Sequence, residues 1–237
     1  GKNIYIGFQH VAGLERGVID ALLVNREENG FFDGLSDFTQ QISISLDQAI
    51  ILIRSNAFRF TGKTKNWLLW KAHFLLAAIK KSVTHPSLFS QFNNTQRLTI
   101  PELDSVPYEN ALDEIEYLGF PLCSPFDLIN KDDKKSEAVS AHFEQNLNKD
   151  ITLLGYLVHT KRTKTKGRIE QEMFFGTFMD MDGRFFDSVH FPLTARRYKF
   201  KGRGVYLIKG KVSSDFGHHT LEVQYLVKIP YRKLVQS

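Results

Sequence analysis

At 237 residues, 42% hydrophobic and 24% charged, the chain can bury one large or two small cores, and its single cysteine excludes both a disulfide framework and a Cys-based metal site. No apolar run approaches the ~20 residues of a membrane-spanning helix and no signal peptide opens the chain, so the expected compartment is a reducing cytoplasm with no membrane partner. The net charge of +5 is uneven: Lys and Arg against Asp and Glu number 10 to 7 over residues 1–90, 5 to 12 over 91–150 and 16 to 7 over 151–237, two basic modules around an acidic connector, as suits a polyanionic partner.

In chain order, residues 1–83 read as all-helical. VAGLERGVIDALLVNREENG has Leu14, Val18, Ala21, Leu22 and Val24 near helical spacing and stops at Asn29-Gly30. A short helix is expected over Gly34 to Gln41. Ser45 is the expected N-cap of SLDQAIILIRSNAF, with Asn56 left-handed at its end. Asn66 is the expected cap of WLLWKAHFLLAAIKKS, whose Lys80 and Lys81 suit a helix C-terminus. Residues 84–150 lose regular pattern and read as a connector with one or two helices, one of them over Pro107 to Gly119.

From Ile151 the period changes to two. ITLLGYLVHTKR, EQEMFFGTFMD, RFFDSVHFP, GVYLIKGKVSSD and HHTLEVQYLVKI make five strands, with turns at Met181-Asp182-Gly183 and Asp215-Phe216-Gly217. PLTARRYKF interrupts them after the third. That pattern predicts a five-stranded OB-fold barrel over 151–237, and an α+β multidomain chain as a whole.

The basic stretch Lys161, Arg162, Lys164, Lys166 and Arg168 falls between the first two strands, a loop that flanks the nucleic-acid groove in OB-folds. Arg196, Arg197, Lys199, Lys201 and Arg203 form a second acid-free cluster, four of them sharing a side if the chain is extended there. Cations around a sheet bearing Phe174, Phe175, Phe178, Phe185, Phe186 and Tyr156 meet the needs of single-strand binding, phosphate attraction plus flat surfaces for bases. Most of these aromatics belong to the core; Phe186 and His190, sharing parity with polar Ser188, are the ones expected to face the groove.

Asp180-Met181-Asp182-Gly183 reads as a turn before it reads as a magnesium site, and the eight histidines, His218-His219 included, lack zinc-like spacing, so no metal is expected. Cys123 has no neighbouring base and reads as a partly buried side chain, and no Walker-type or dinucleotide loop exists. No catalytic residue and no cofactor are expected. In the helical unit Gly13, Leu14, Arg16 and Gly17 form a tight turn opening a helix, where backbone N–H groups and Arg16 suit a phosphate.

The order of these segments resembles the C-terminal region of bacterial replicative DNA polymerase III alpha subunits. IYIGFQHVAGLERGVIDALLVNREENGFFDGLSDF resembles that family's helix-hairpin-helix segment and SLDQAIILIRSNAF the stretch just downstream. IEYLGFPLCSPF is similar to the segment before its OB domain, and GYLVHTKRTKTKGRIEQEMFFGTFMDMDGRFFDSVHFP to the start of that domain. The resemblance is collinear over nearly the whole chain. It implies a fragment whose polymerase domains lie upstream, in keeping with an opening at Gly1 rather than Met.

The implied partners are duplex DNA at the hairpin, single-stranded DNA at the barrel and the sliding clamp at an internal peptide. His85, Leu88 and Phe89 stand where that peptide is expected, with His85 in the place of its usual Gln. The hairpin's usual second glycine is Glu15 here, whose charge opposes phosphate; Asn56 replaces another usual glycine and Cys123 a common serine. The fragment alone would not be an enzyme, although its parent would be a DNA-directed DNA polymerase. The alternative is an OB-fold scaffold that binds other replisome proteins rather than DNA.

Overall fold

The computed structural model describes residues 6–84, 108–134, 138–165, 170–215 and 217–232. Its contacts divide the chain into two units, Gly1–Leu122 and Cys123–Ser237. The acidic stretch 84–150 is therefore shared between them: its helix belongs to the first unit, and everything from Cys123 onward to the second.

The first unit is helical: α1 (Arg16–Asn29), α2 (Leu35–Gln41), α3 (Leu46–Arg54), α4 (Lys65–Thr84) and α5 (Glu109–Tyr117). Gly30, with φ 84°, ends α1, and Asn56, with φ 66°, follows α3 in the left-handed conformation expected of it. Ser45 caps α3 by accepting from the Gln48 N–H. At α4 the cap is Thr64 rather than Asn66: the Thr64 hydroxyl accepts from the Trp67 N–H at 3.2 Å, and Asn66 sits one residue inside the helix. The threonine wins because its oxygen lies three residues before the N–H it must reach.

Val18 and Leu22 of α1, Leu35 and Phe38 of α2, Leu52 and Ile53 of α3 and Leu68 and Ala72 of α4 close over Phe58. Phe38 stands edge-on to both Phe32 and Phe58, with ring centroids 5.1 Å apart in each pair. Each such buried side chain contributes roughly 1.5–3 kcal/mol, so the core needs no staple.

The second unit is a closed barrel of β1 (Asp150–Lys164), β2 (Glu172–Met179), β3 (Phe185–His190), β4 (Val205–Asp215) and β5 (His218–Lys228), with α6 (Pro192–Arg197) between β3 and β4. The closed order is β1-β2-β3-β5-β4, with β3 and β5 parallel and every other pair antiparallel. That order, with a helix after the third strand, is the OB-fold expected from the sequence. A bulge between Leu157 and His159 lets the long β1 pair with β4 along its first half and with β2 along its second. A second bulge, at Lys209/Gly210, brings β4 so close to β5 that a Cβ at Gly210 would overlap the Glu222 carbonyl oxygen.

Leu153, Leu157, Phe178, Phe186, Tyr206, Ile208, Val212 and Leu221 fill the barrel, with Phe178 and Phe186 stacked 5.5 Å apart. The described residues between Cys123 and β1 pack against the barrel, Phe126 and Ile129 in one cluster and Phe143 in the one that fills it. Phe126 and Ile129 pack on Leu154, Tyr156 and Val205, the Arg232 Nε donates to the Ile129 carbonyl at 2.8 Å, and Phe143 meets Phe186 edge-on. Cys123, expected partly buried, is exposed in the turn before Ser124. No helix among the described residues is long and apolar enough to cross a membrane.

Candidate nucleic-acid interface

In the helical unit the turn from Val11 to Glu15 leads into α1, and Gly13 takes φ 77° there. That conformation calls for glycine, and a β-carbon there would in addition press on Ile51 Cδ1 of α3 at 3.3 Å. Gln48 holds the turn from the same helix: its Oε1 accepts from the Glu15 N–H at 2.8 Å and its Nε2 donates to the Gly13 carbonyl at 2.9 Å. Leu14 anchors the turn by packing against the core.

This leaves the N–H groups of Arg16 and Gly17, in the first turn of α1, without an intrahelical acceptor, and Gly17 has open space around its Cα. The exposed Arg16 guanidinium pairs with Asp20 at 3.0 Å, which tempers the counter-charge expected of it. Glu15, the N-cap residue, makes no side-chain cap bond.

A second turn, RFTGKTKN, which the sequence marked as polar without giving it a role in binding, joins α3 to α4. Asn56 and Gly62 both take φ 66°, exposed Arg59 lies between them and exposed Lys63 between Gly62 and α4, and the Lys63 ammonium stands 5.4 Å from the Trp67 ring centroid. Its signal was the Thr-Gly-Lys-Thr run, which reads only as a polar turn. Behind it, buried Asp113 of α5 binds Lys65 at 2.8 Å and Arg54 at 3.4 Å, tying α5 to both ends of the turn.

On the barrel, Lys161, Phe175 and Val189 lie side by side across β1, β2 and β3, with His159, Thr177 and Asp187 as the neighbouring row. Phe175 is 41% exposed and Phe185 65% exposed, so these two rings present the outward face. Phe186 and His190 do not: both are buried in the barrel. The inference from Ser188 fails because Ser188 is itself buried, its hydroxyl satisfied by the Gly176 carbonyl at 3.0 Å. A polar residue with an internal acceptor marks the inner face as readily as the outer.

The cations divide. Arg162 forms an ion pair with Glu172, and Lys164 pairs with Glu170 at 2.6 Å, all of them exposed. Lys166 and Arg168 lie outside the described residues. Arg196 and Arg197 are on α6, so the extended alternation expected from Arg197 to Arg203 is broken by the helix that Pro192 starts. Arg197 stands over the Tyr198 ring, while Arg196 and Lys199 line a cavity of about 530 Å³ together with Glu172 and Phe174. Glu172 also pairs with Arg162, so one cation of the first cluster adjoins a residue that lines the cavity. Lys201 and Arg203 lie in the turn before β4, which Tyr206 fixes by accepting from the Lys201 N–H and donating to the Gly202 carbonyl.

Acids also stand on the outward face. Asp187 accepts from the Thr177 hydroxyl at 2.8 Å and lies 3.3 Å from His218 Nε2, and Glu222 is the β5 neighbour of Val189. The Asp180 turn is knit from within: its carboxylate accepts from the Ser140 hydroxyl and N–H and from the Asp182 and Arg184 N–H groups. Burial alone would raise the Asp180 pKa, but these hydrogen bonds outweigh it and hold the pKa below the usual value. Among the described residues no three His, Cys, Asp or Glu side chains gather as a metal site. His85, Leu88 and Phe89 lie outside the described residues.

Residues 1–68 match the family described as helix-hairpin-helix motif. No curated protein matches the chain. A helix-hairpin-helix region followed by a closed five-stranded barrel fits a DNA-binding fragment.

Proposed function

We propose that this chain is the DNA-handling and clamp-contacting C-terminal region of a bacterial replicative DNA polymerase III alpha subunit, working in the cytoplasm. The helical unit grips duplex backbone through its two turns. The barrel receives single-stranded template, and His85, Leu88 and Phe89 form the peptide that docks in the sliding clamp. Nucleotidyl transfer belongs to the upstream parent, and this fragment holds no catalytic residue or cofactor. The supporting observation is the collinear order, a helix-hairpin-helix match at residues 1–68 followed by an OB-ordered barrel on which Arg162 pairs with Glu172 and Arg196 and Lys199 line the same cavity as that carboxylate.

Fluorescence anisotropy with duplex and single-stranded oligonucleotides tests it. Affinity falls steeply with salt and ignores sequence; affinity unchanged between low and physiological salt overturns the reading. Replacing Leu88 and Phe89 by Ala abolishes clamp retention and leaves DNA affinity intact.

Asp187 and Glu222 on the outward face favour a different occupant for the barrel, another replisome protein. Under that alternative, pull-down of the partner survives nuclease treatment, and the isolated chain binds single strands no better than an acidic control polymer.

A further inference from the structure

The cavity lined by Arg196 and Lys199 lies on the inward side of β2 and β3, not on the outward face that carries Phe175. Phe174 and His190 are register partners across these strands and both line it, with Ala195 and Arg196 of α6 and Tyr198, Lys199 and Phe200 beyond. Phe200 packs against Phe174 with ring centroids 6.0 Å apart and against His190 at 4.7 Å. The walls are thus flat and aromatic, and the rim holds Arg196 and Lys199. The carboxylate there, Glu172, is already engaged by Arg162. At about 530 Å³ the space falls within the roughly 300–1,000 Å³ of small-molecule sites.

His190 carries the chemistry. It is 0% exposed, and its Nδ1 has no hydrogen-bond partner among the described residues. The Ser188 hydroxyl spends its proton on the Gly176 carbonyl, so its oxygen must accept at 3.0 Å from His190, which fixes the proton on Nε2. Nδ1 is then a bare acceptor. Burial pushes the His190 pKa down to about 4, so the ring is neutral at physiological pH and carries no second proton on Nδ1. A buried acceptor left unmet costs stability, which a ligand offering a donor would recover.

We propose that this cavity binds a single unstacked nucleobase through an N–H donor directed at His190 Nδ1, with the adjoining phosphate at Arg196 and Lys199. The aromatic walls take the faces of the base, and every nucleobase has a donor on its pairing edge. The proposal deepens the single-strand reading, on which it rests: the same chemistry arises from a free mononucleotide or from a base turned out of a bound strand.

The experiment is titration of the whole chain, its histidine rings labelled with 15N, by deoxyadenosine monophosphate, by the purine analogue lacking the 6-amino group, and by short single-stranded oligonucleotides. The expected result is a shift of the His190 Nδ1 resonance with the adenine nucleotide and about tenfold weaker binding of the analogue. His190→Phe removes the acceptor while keeping a planar ring, and abolishes that discrimination. Equal affinity of nucleotide and analogue in the unmodified protein overturns the proposal, whether or not the variant folds. An oligonucleotide that binds salt-dependently while neither ligand moves His190 sinks the pocket and spares the DNA reading. A His190 shift with mononucleotide and no strand binding does the reverse.

Discussion

Gln48 and Gly13 are 35 residues apart, yet the Gln48 Nε2 donates to the Gly13 carbonyl at 2.9 Å while its Oε1 accepts from the Glu15 N–H. One buried amide thus satisfies both a donor and an acceptor of a turn that must hold φ 77° at its centre. Gln48→Ala strands both groups in a buried setting and is expected to cost about 2–3 kcal/mol. Urea unfolding followed by tryptophan fluorescence checks this, because both tryptophans of the chain, Trp67 and Trp70, lie on α4 of the same unit. Duplex affinity falls with the loss of the turn, whereas single-strand affinity of the barrel stays.

Asp113 is the other internal tie of the helical unit, and it is ionic. Its side chain is 7% exposed and that of its partner Lys65 11%. Asp113→Ala leaves the Lys65 ammonium buried beside only the Arg54 carbonyl and is expected to cost about 3–5 kcal/mol in the same unfolding assay. The double variant Asp113→Leu, Lys65→Met recovers most of that loss, since paired removal of buried charge avoids the uncompensated ion. Equal losses in single and double variants would show that the tie acts through packing.

The periodicity of the chain was enough for the barrel. Strand after strand from Ile151 alternates, and the break at PLTARRYKF falls where α6 stands. Which face of β3 looked inward was not legible, because Ser188 finds its acceptor in the Gly176 carbonyl and so reverses the parity argument for Phe186 and His190. Nor was the role of residues 123–149. Their acidic, irregular text hides Phe126, Ile129 and Phe143, each of which packs on the barrel by a contact more than ten residues distant in sequence. The basic loop was legible as charge, but its ion pairs were not: Glu172 opens β2 and Glu170 lies two residues before it, and each pairs with a β1 cation diagonal to it across the hairpin, Arg162 and Lys164.

Those pairs set the ranking of cations at the interface. Arg162 and Lys164 must give up Glu172 and Glu170 to meet phosphate, whereas Lys161 stands beside exposed Phe175. Lys161→Ala is expected to weaken single-strand binding and to lower the slope of log affinity against log salt by about 0.7. Glu172→Gln releases Arg162 and tightens binding at low salt. Phe175→Ala removes a stacking surface and costs roughly 1–3 kcal/mol of affinity with no change in the salt slope. Anisotropy titrations at several salt concentrations separate these effects.

The buried imidazole makes the barrel acid-sensitive. His190 titrates near the ordinary 6.5 in the unfolded chain and at about 4 in the native one. Between those values the unfolded state binds a proton that the native state refuses, so stability falls as pH drops through 6.5 and levels off below about 4. The slope approaches 1.4 kcal/mol per pH unit, and the total is about 3 kcal/mol. Asp180, held below its usual value by four hydrogen bonds, adds a loss of the same sign at lower pH, as its carboxylate protonates. Hydrogen exchange of the β2 and β3 amides at pH 7, 6, 5 and 4.5, corrected for intrinsic rates, reads this directly. His190→Phe flattens the profile above pH 4.5 and leaves the Asp180 limb in place; an unchanged slope in that variant would mean that another group governs the acid lability of the barrel.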